Sequence, residues 1–488
     1  MKLSSYTFKK GKFIVPFHTI PNLTEMSNEE SWSYGRLPEY IWLGLILKHY
    51  GRDRGLYKLR GIILKLHELV PDMRCPRISE IIALHPNTQL EWYNYIIAVT
   101  SKEILAPLTL VLTASKAPVF SFCFYSTELS IEERCNILTD TMRDLMDHQS
   151  YESTDIRFIV LYSNVLSGKL HLLKEQVELL NAYPYLSHDN ERMREARPTV
   201  RATEMMLLQF EEINIDYIQD FWRCISEMTE CSIYSVRFHE EDRNISTYME
   251  CLYEVFNYLS DLFVSTSPLD DKMSVLLGIS TYSYKRFLEA YEHKLFNAIS
   301  GRSCIRVLIE NYIMMKYLLK NEAAHENIWK DFQLYGLGQY KLILEKYREG
   351  DAPAETHFDQ IYIEALVNEL KSEEFLDMDT RYFDQQNIRI KAENVGEKSL
   401  YGLYYDYDSA FEHGLWGAIR ESSMLKCNNP AHQYHCVPDI TNQNRLKSVL
   451  PDCIRVMNKI LIVLNEVYGI PNQLFRAVID FEIQPFAE

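Results

Sequence analysis

The sequence predicts an all-α, multi-helical protein: an N-terminal helical region packed on a C-terminal helical bundle. Apolar residues recur at three- and four-residue spacing through most of the 488 positions, and cap and stop residues punctuate those runs. Only one short stretch has strand composition. The 47% hydrophobic content supports a buried core, and the length suits two or three domains.

In chain order, the first residues through about Thr24 mix basic and β-branched side chains with Pro16 and Pro21 and read as a peripheral arm. After Asn28, a candidate cap, Pro38 suits a first helical turn and Gly51 a stop. A second helix spans Gly55 to Leu69, with Leu59, Ile62, Ile63 and Leu66 on one face. Asn87 and Ser101 read as caps, and Ser130 with Glu133 has capping-box spacing ahead of a helix over 131–147. Val119 to Tyr125, VFSFCFY, is the one candidate strand, although a buried helix end fits it as well. The run RMREARPTVR, Arg192 to Arg201, with four arginines and a proline, reads as a solvated linker. A soft boundary near 237–244 divides the chain into regions 1–240 and 241–488. In the second region, Lys371 to Lys391 is expected to be a charged loop, and a strong helix from Cys453 to Tyr468 stops at Gly469.

Composition excludes several classes of function. A net charge of −17 and a pI near 5.4 oppose broad attraction to nucleic acid, which rests on clustered Lys and Arg, but leave room for RNA or a nucleotide at a local site. No apolar run reaches the roughly 18–20 residues of a membrane span; the uncharged stretch Ile104 to Ser115 contains Pro107 and ends at Lys116. The first residues lack an apolar secretion segment. A cytoplasmic protein is therefore expected, and ten cysteines without a Cys-x-x-Cys pair fit reduced thiols.

The chemistry concentrates in two places. The helix Ser303 to Leu319 is apolar over most of its circumference, yet Arg302, Arg306 and Glu310, spaced by four, form one polar stripe that requires a partner. Leu403 to Asp439 holds four tyrosines, three histidines and two cysteines. Within it Tyr405, Ser409 and His413 share a helix face ahead of Gly414. Opposed to the stripe, His413 would serve as acid or base, Ser409 would orient it, Arg302 and Arg306 would hold an anion, and Glu310 would fix the arginines. The alternative is a satisfied buried network that pins two helices. Cys427, His432, His435 and Cys436 are zinc-compatible types, but neighbouring His435 and Cys436 point apart in most backbones. We therefore assign no metal or cofactor here and read an ordered loop, with Tyr405, His432 and His435 as binding residues.

The pairing of Arg302-x3-Arg306-x3-Glu310 with Tyr405-x3-Ser409-x3-His413 resembles a bacterial family of helical domains of unknown function, over about Glu250 to Ile470. That family is similar to HEPN-type bundles, many of them ribonucleases of phage defence and toxin–antitoxin systems. The resemblance implies a helical bundle, a tendency to dimerise and, as one reading, RNA or nucleotide chemistry. The HEPN signature, Arg and His separated by four to six intervening residues, is absent where expected: Asp408 occupies the arginine position relative to His413. Arg60/His67, Arg143/His148 and Arg286/His293 match its spacing at a frequency chance explains. Base rates then favour a non-catalytic scaffold or protein-interaction module, with a partner protein or a homodimer, over a nuclease.

Overall fold

The computed structural model describes residues 6–14, 30–168, 174–207, 212–236, 238, 245–265, 270–350, 356–368, 386–441 and 446–481. Among the described residues the protein is all-α, with strands only as short pieces. The chain divides into two compact units: Met1–Tyr234 with Lys426–Val437, and Ser235–Leu425 with Pro438–Glu488. The two units alternate along the chain: the second starts at Ser235, the first takes back Lys426–Val437, and the second resumes at Pro438.

The first unit is built around the helix Leu37–Tyr50, buried on every side from Leu37 to Leu47. A helix apolar all round belongs in an interior. Gly44 permits its closest approach, because a Cβ there would lie 2.3 Å from the Leu145 side chain. Gly51, at φ +73°, turns the chain into Arg52–Leu69. Buried ionisable groups in this core are ion-paired or hydrogen-bonded, as desolvation demands. Arg36 Nη1 donates to both carboxylate oxygens of Glu204, at 2.5 and 2.6 Å. The Arg157 Nε lies 3.5 Å from the same carboxylate, and both guanidinium groups sit over the Trp32 ring. Glu39 accepts from the Ser79 amide and hydroxyl at 2.9 and 2.6 Å.

Several expectations need correcting here. VFSFCFY is no strand: Pro118–Phe124 is a helix with proline in its first turn. Phe120 and Phe124, four apart, both pack edge-on against Tyr93, while Phe122 between them faces solvent. The arginine-rich run is no linker either, since Met193–Leu207 is helical with Pro198 inside it. Met193, Ala196, Val200 and Leu207 bury one face, and Arg197 and Arg201 donate to the carbonyls of His188 and Gln149. The cap of Pro86–Val99 is His85 rather than Asn87, whose amide donates to the imidazole Nδ1 of His85. Ser101 does precede a helix, and the Ser130/Glu133 capping box forms in full. In the arm, Thr7–Lys9 pairs antiparallel with Lys12–Ile14; Asn28 lies outside the described residues.

The second unit packs around Ile299–Asn321, which contacts Asp271–Glu292, Ile388–Asn394, Asp406–Glu412 and Leu450–Tyr468. Gly301 opens it, where a Cβ would meet the Leu295 carbonyl oxygen at 2.5 Å. The last of these helices ends at Gly469 in the left-handed conformation, φ +67°. Of the expected loop 371–391, residues 371–385 lie outside the described residues. Its end is instead the helix Ile388–Asn394, with the Lys391 ammonium 4.8 Å from the centre of the Tyr317 ring.

Candidate functional site

The polar stripe of Ile299–Asn321 meets the segment 401–412, a π-helical turn Tyr401–Tyr405 running into the helix Asp406–Glu412. The two run antiparallel, so successive turns match: Glu310 with Tyr405, Arg306 with Ser409, and Ser303 with Glu412. Arg306 is the centre. Its Nε donates to Ser409 Oγ at 3.0 Å and its Nη2 to the Tyr405 hydroxyl at 2.8 Å. Glu310 lies 3.8 Å from Nη1, and the Tyr405 hydroxyl donates to Glu310 at 3.4 Å. Burial, reinforced by Glu310, pushes the Tyr405 phenol up to about 12, so it stays protonated and keeps that donor.

Arg302 and His413 do not join this group. The guanidinium of Arg302 turns away to donate to the Lys447 carbonyl at 2.8 Å, lies among the rings of Tyr407 and Phe411, and leaves its Nε 4.0 Å from Asp408. Burial pushes the Asp408 carboxyl up to about 7 against the pull of Arg302. His413 caps the helix C-terminus and is exposed, and its ring makes no hydrogen bond among the described residues. The proposed acid or base therefore stands outside the network. From sequence, Asp408 stands out only as the residue in the arginine position of the HEPN signature; its spacing of three from both Tyr405 and Phe411, which puts it on their face, was the signal for a site role.

His432 and His435 are held within the first unit. There they converge with Cys427 and with Cys231, a residue 201 positions from His432 that the sequence did not single out. All four ligand-type atoms lie within 4.8 Å of one another. Cys231 Sγ is 3.3 Å from His432 Nδ1 and 3.2 Å from His435 Nε2, and Cys427 Sγ is 3.6 Å from His432 Nδ1. Cys436 is not a member; Cys231 takes the place the sequence reading gave it. The chain reaches this geometry through a 3₁₀ turn, Pro430–His432, followed by Gln433 and Tyr434, both left-handed at φ +52°. Two successive left-handed residues reverse the backbone so that both imidazoles face the sulfurs. Cys427 pairs with Ile233 in the antiparallel ladder beside Cys231. Next to the quartet, a cleft of about 460 Å³ is lined by Trp222, Arg223, Ser226, Gln433 and the two histidines.

Fold and geometry together define a two-unit helical protein with a tyrosine- and serine-clamped arginine in one unit and a cysteine–histidine cluster in the other. Residues 280–432 match the model of a family of unknown function (DUF5677). The match covers under half of the chain, includes every residue of the arginine network, and ends at His432. No curated protein and no solved structure matches the chain.

Proposed function

We propose that the protein is a cytoplasmic helical scaffold whose Arg306 network is architectural, and that its partner is a protein, a second copy included, rather than RNA. One observation carries this reading: the Arg306 guanidinium is already divided among Ser409, Tyr405 and Glu310. An arginine so engaged pins two helices and has no free bidentate edge for a phosphate. The charge of −17 adds to the argument, because an RNA partner must be drawn in by exposed cations. No helix among the described residues is long and apolar enough to cross a membrane.

The competing reading, a HEPN-like ribonuclease, needs His413 beside an arginine. Its ring is exposed and hydrogen-bonds to none of the network, and Asp408 stands where the signature arginine belongs. Incubating the full chain and its His413→Ala variant with labelled single-stranded RNA decides between the two. We expect no cleavage by either and melting curves that superimpose. Cleavage by the wild type that disappears in a stably folded His413→Ala protein overturns the scaffold reading.

A further inference from the structure

We propose that Cys231, Cys427, His432 and His435 form a tetrahedral zinc site that clasps the returning segment 426–437 to the end of the first unit's main chain segment. The site is independent of the Arg306 network, so it stands or falls separately from the scaffold reading.

Geometry is the first argument. Tetrahedral zinc with Zn–S near 2.3 Å and Zn–N near 2.0–2.1 Å places its sulfur and nitrogen ligands about 3.6 Å apart. The S···N separations are 3.2, 3.3 and 3.6 Å. Two sulfurs and two imidazoles form the soft donor set that selects zinc over calcium or magnesium, which take oxygen.

The surroundings are the second argument. The Nε2 of His432 lies 3.2 Å from each of the carbonyl oxygens of Ser226 and Thr229. That contact needs the proton on Nε2 and leaves the Nδ1 lone pair facing the sulfurs, the arrangement that orients metal-bound histidines. The Asn429 amide donates to Cys427 Sγ at 3.4 Å, as suits a thiolate, while Cys427 itself is fully buried. Asn429 in turn holds the turn in place: its side chain donates to the Glu230 carbonyl at 2.9 Å and accepts from the Ala431 amide at 2.9 Å. A second sequence-distant bond, from the Asn428 amide to the Ser232 carbonyl at 2.6 Å, fixes the same crossing.

The clasp also has a physical reason to exist. The segment 426–437 is separated from Cys231 by the long stretch Ser235–Leu425 of the second unit, and closing so long a loop carries an entropic cost that a short two-residue ladder offsets poorly. Metal coordination supplies folding free energy at the point of closure.

The test is metal analysis of the untagged full chain, purified under reducing conditions without chelator. We expect about one zinc per chain, and, after exchange, a cobalt form with tetrahedral visible bands and a sulfur-to-metal charge-transfer band. Cys231→Ser, whose position is exposed, and Cys427→Ser each remove one of four ligands and should leave zinc content well below that of the wild type. Cys436→Ser, in the same loop but outside the quartet, should keep it. Circular dichroism separates loss of metal from loss of fold, and the exposed Cys231 and His435 positions provide variants that spare the core. A wild-type protein that holds no zinc and gives no tetrahedral cobalt spectrum overturns the proposal. So does a Cys231–Cys427 disulfide found by mass spectrometry in that reduced preparation, or zinc lost from Cys436→Ser and retained in Cys427→Ser.

Discussion

The Tyr405 hydroxyl accepts from Arg306 at 2.8 Å while the guanidinium carbon of the same arginine sits 4.7 Å from the centre of the Tyr405 ring. One tyrosine thus meets one arginine through both its polar tip and its π face, a combination that a flat guanidinium accommodates and a compact ammonium does not.

Arg306→Lys is therefore not conservative. A lysine reaches at most one of the Tyr405 and Ser409 acceptors and loses the stacking. The expected loss is about 1–2 kcal/mol of stability, read as a lower urea midpoint with an unchanged slope. A variant as stable as the wild type would show that the network does not pin the helices.

Glu39 gives a pH dependence with a defined sign. Burial pushes its carboxyl up to about 7 from the ordinary 4.5. The folded state then binds a proton that the unfolded chain has released between those values, so stability falls as pH rises across that window and levels off above it. Glu39→Gln removes the titration and keeps a partner for Ser79. Relative to this variant, the wild type should be more favoured at pH 5 than at pH 8, by on the order of 2 kcal/mol. A gap between the two urea midpoints that does not move with pH would contradict the assignment.

Two helical glycines should respond in opposite directions to alanine. At Gly278 nothing lies within 4 Å of a Cβ, so Gly278→Ala should add about 0.5–1 kcal/mol through helix propensity. At Gly301 the new methyl would lie 2.5 Å from the Leu295 carbonyl oxygen and 3.0 Å from the Phe296 backbone, atoms that have no rotamer to move. Gly301→Ala should cost about 1–3 kcal/mol. Thermal melts of the pair check both, and two shifts of the same sign would refute the packing argument.

Much of the fold was legible because its signals are local. The capping box at Ser130 and Glu133, the stop at Gly469 and the apolar circumference of Ile299–Asn321 each follow from residues a few positions apart. Misreadings arose where tertiary packing used the same residues differently. Phe120 and Phe124 have strand composition, yet Tyr93 rewards their helical spacing. Arg197 and Arg201 look like a solvated run, yet the carbonyls of His188 and Gln149 hold them on a helix whose other face is buried.

Local spacing alone establishes the helical class, the isolated stripe of Arg302, Arg306 and Glu310, and the phase of Tyr405 and Ser409, because a period of 3.6 residues is a property of the backbone. It also placed His432 and His435 in one crowded loop. Long-range packing, by contrast, turns Arg302 to Lys447 and Asp408, leaves His413 outside, and brings Cys231 rather than Cys436 to face the two histidines. Those outcomes depend on where residues far apart in sequence are brought by packing. For Cys231 and His432 that separation is 201 positions, and no local spacing rule reaches across it.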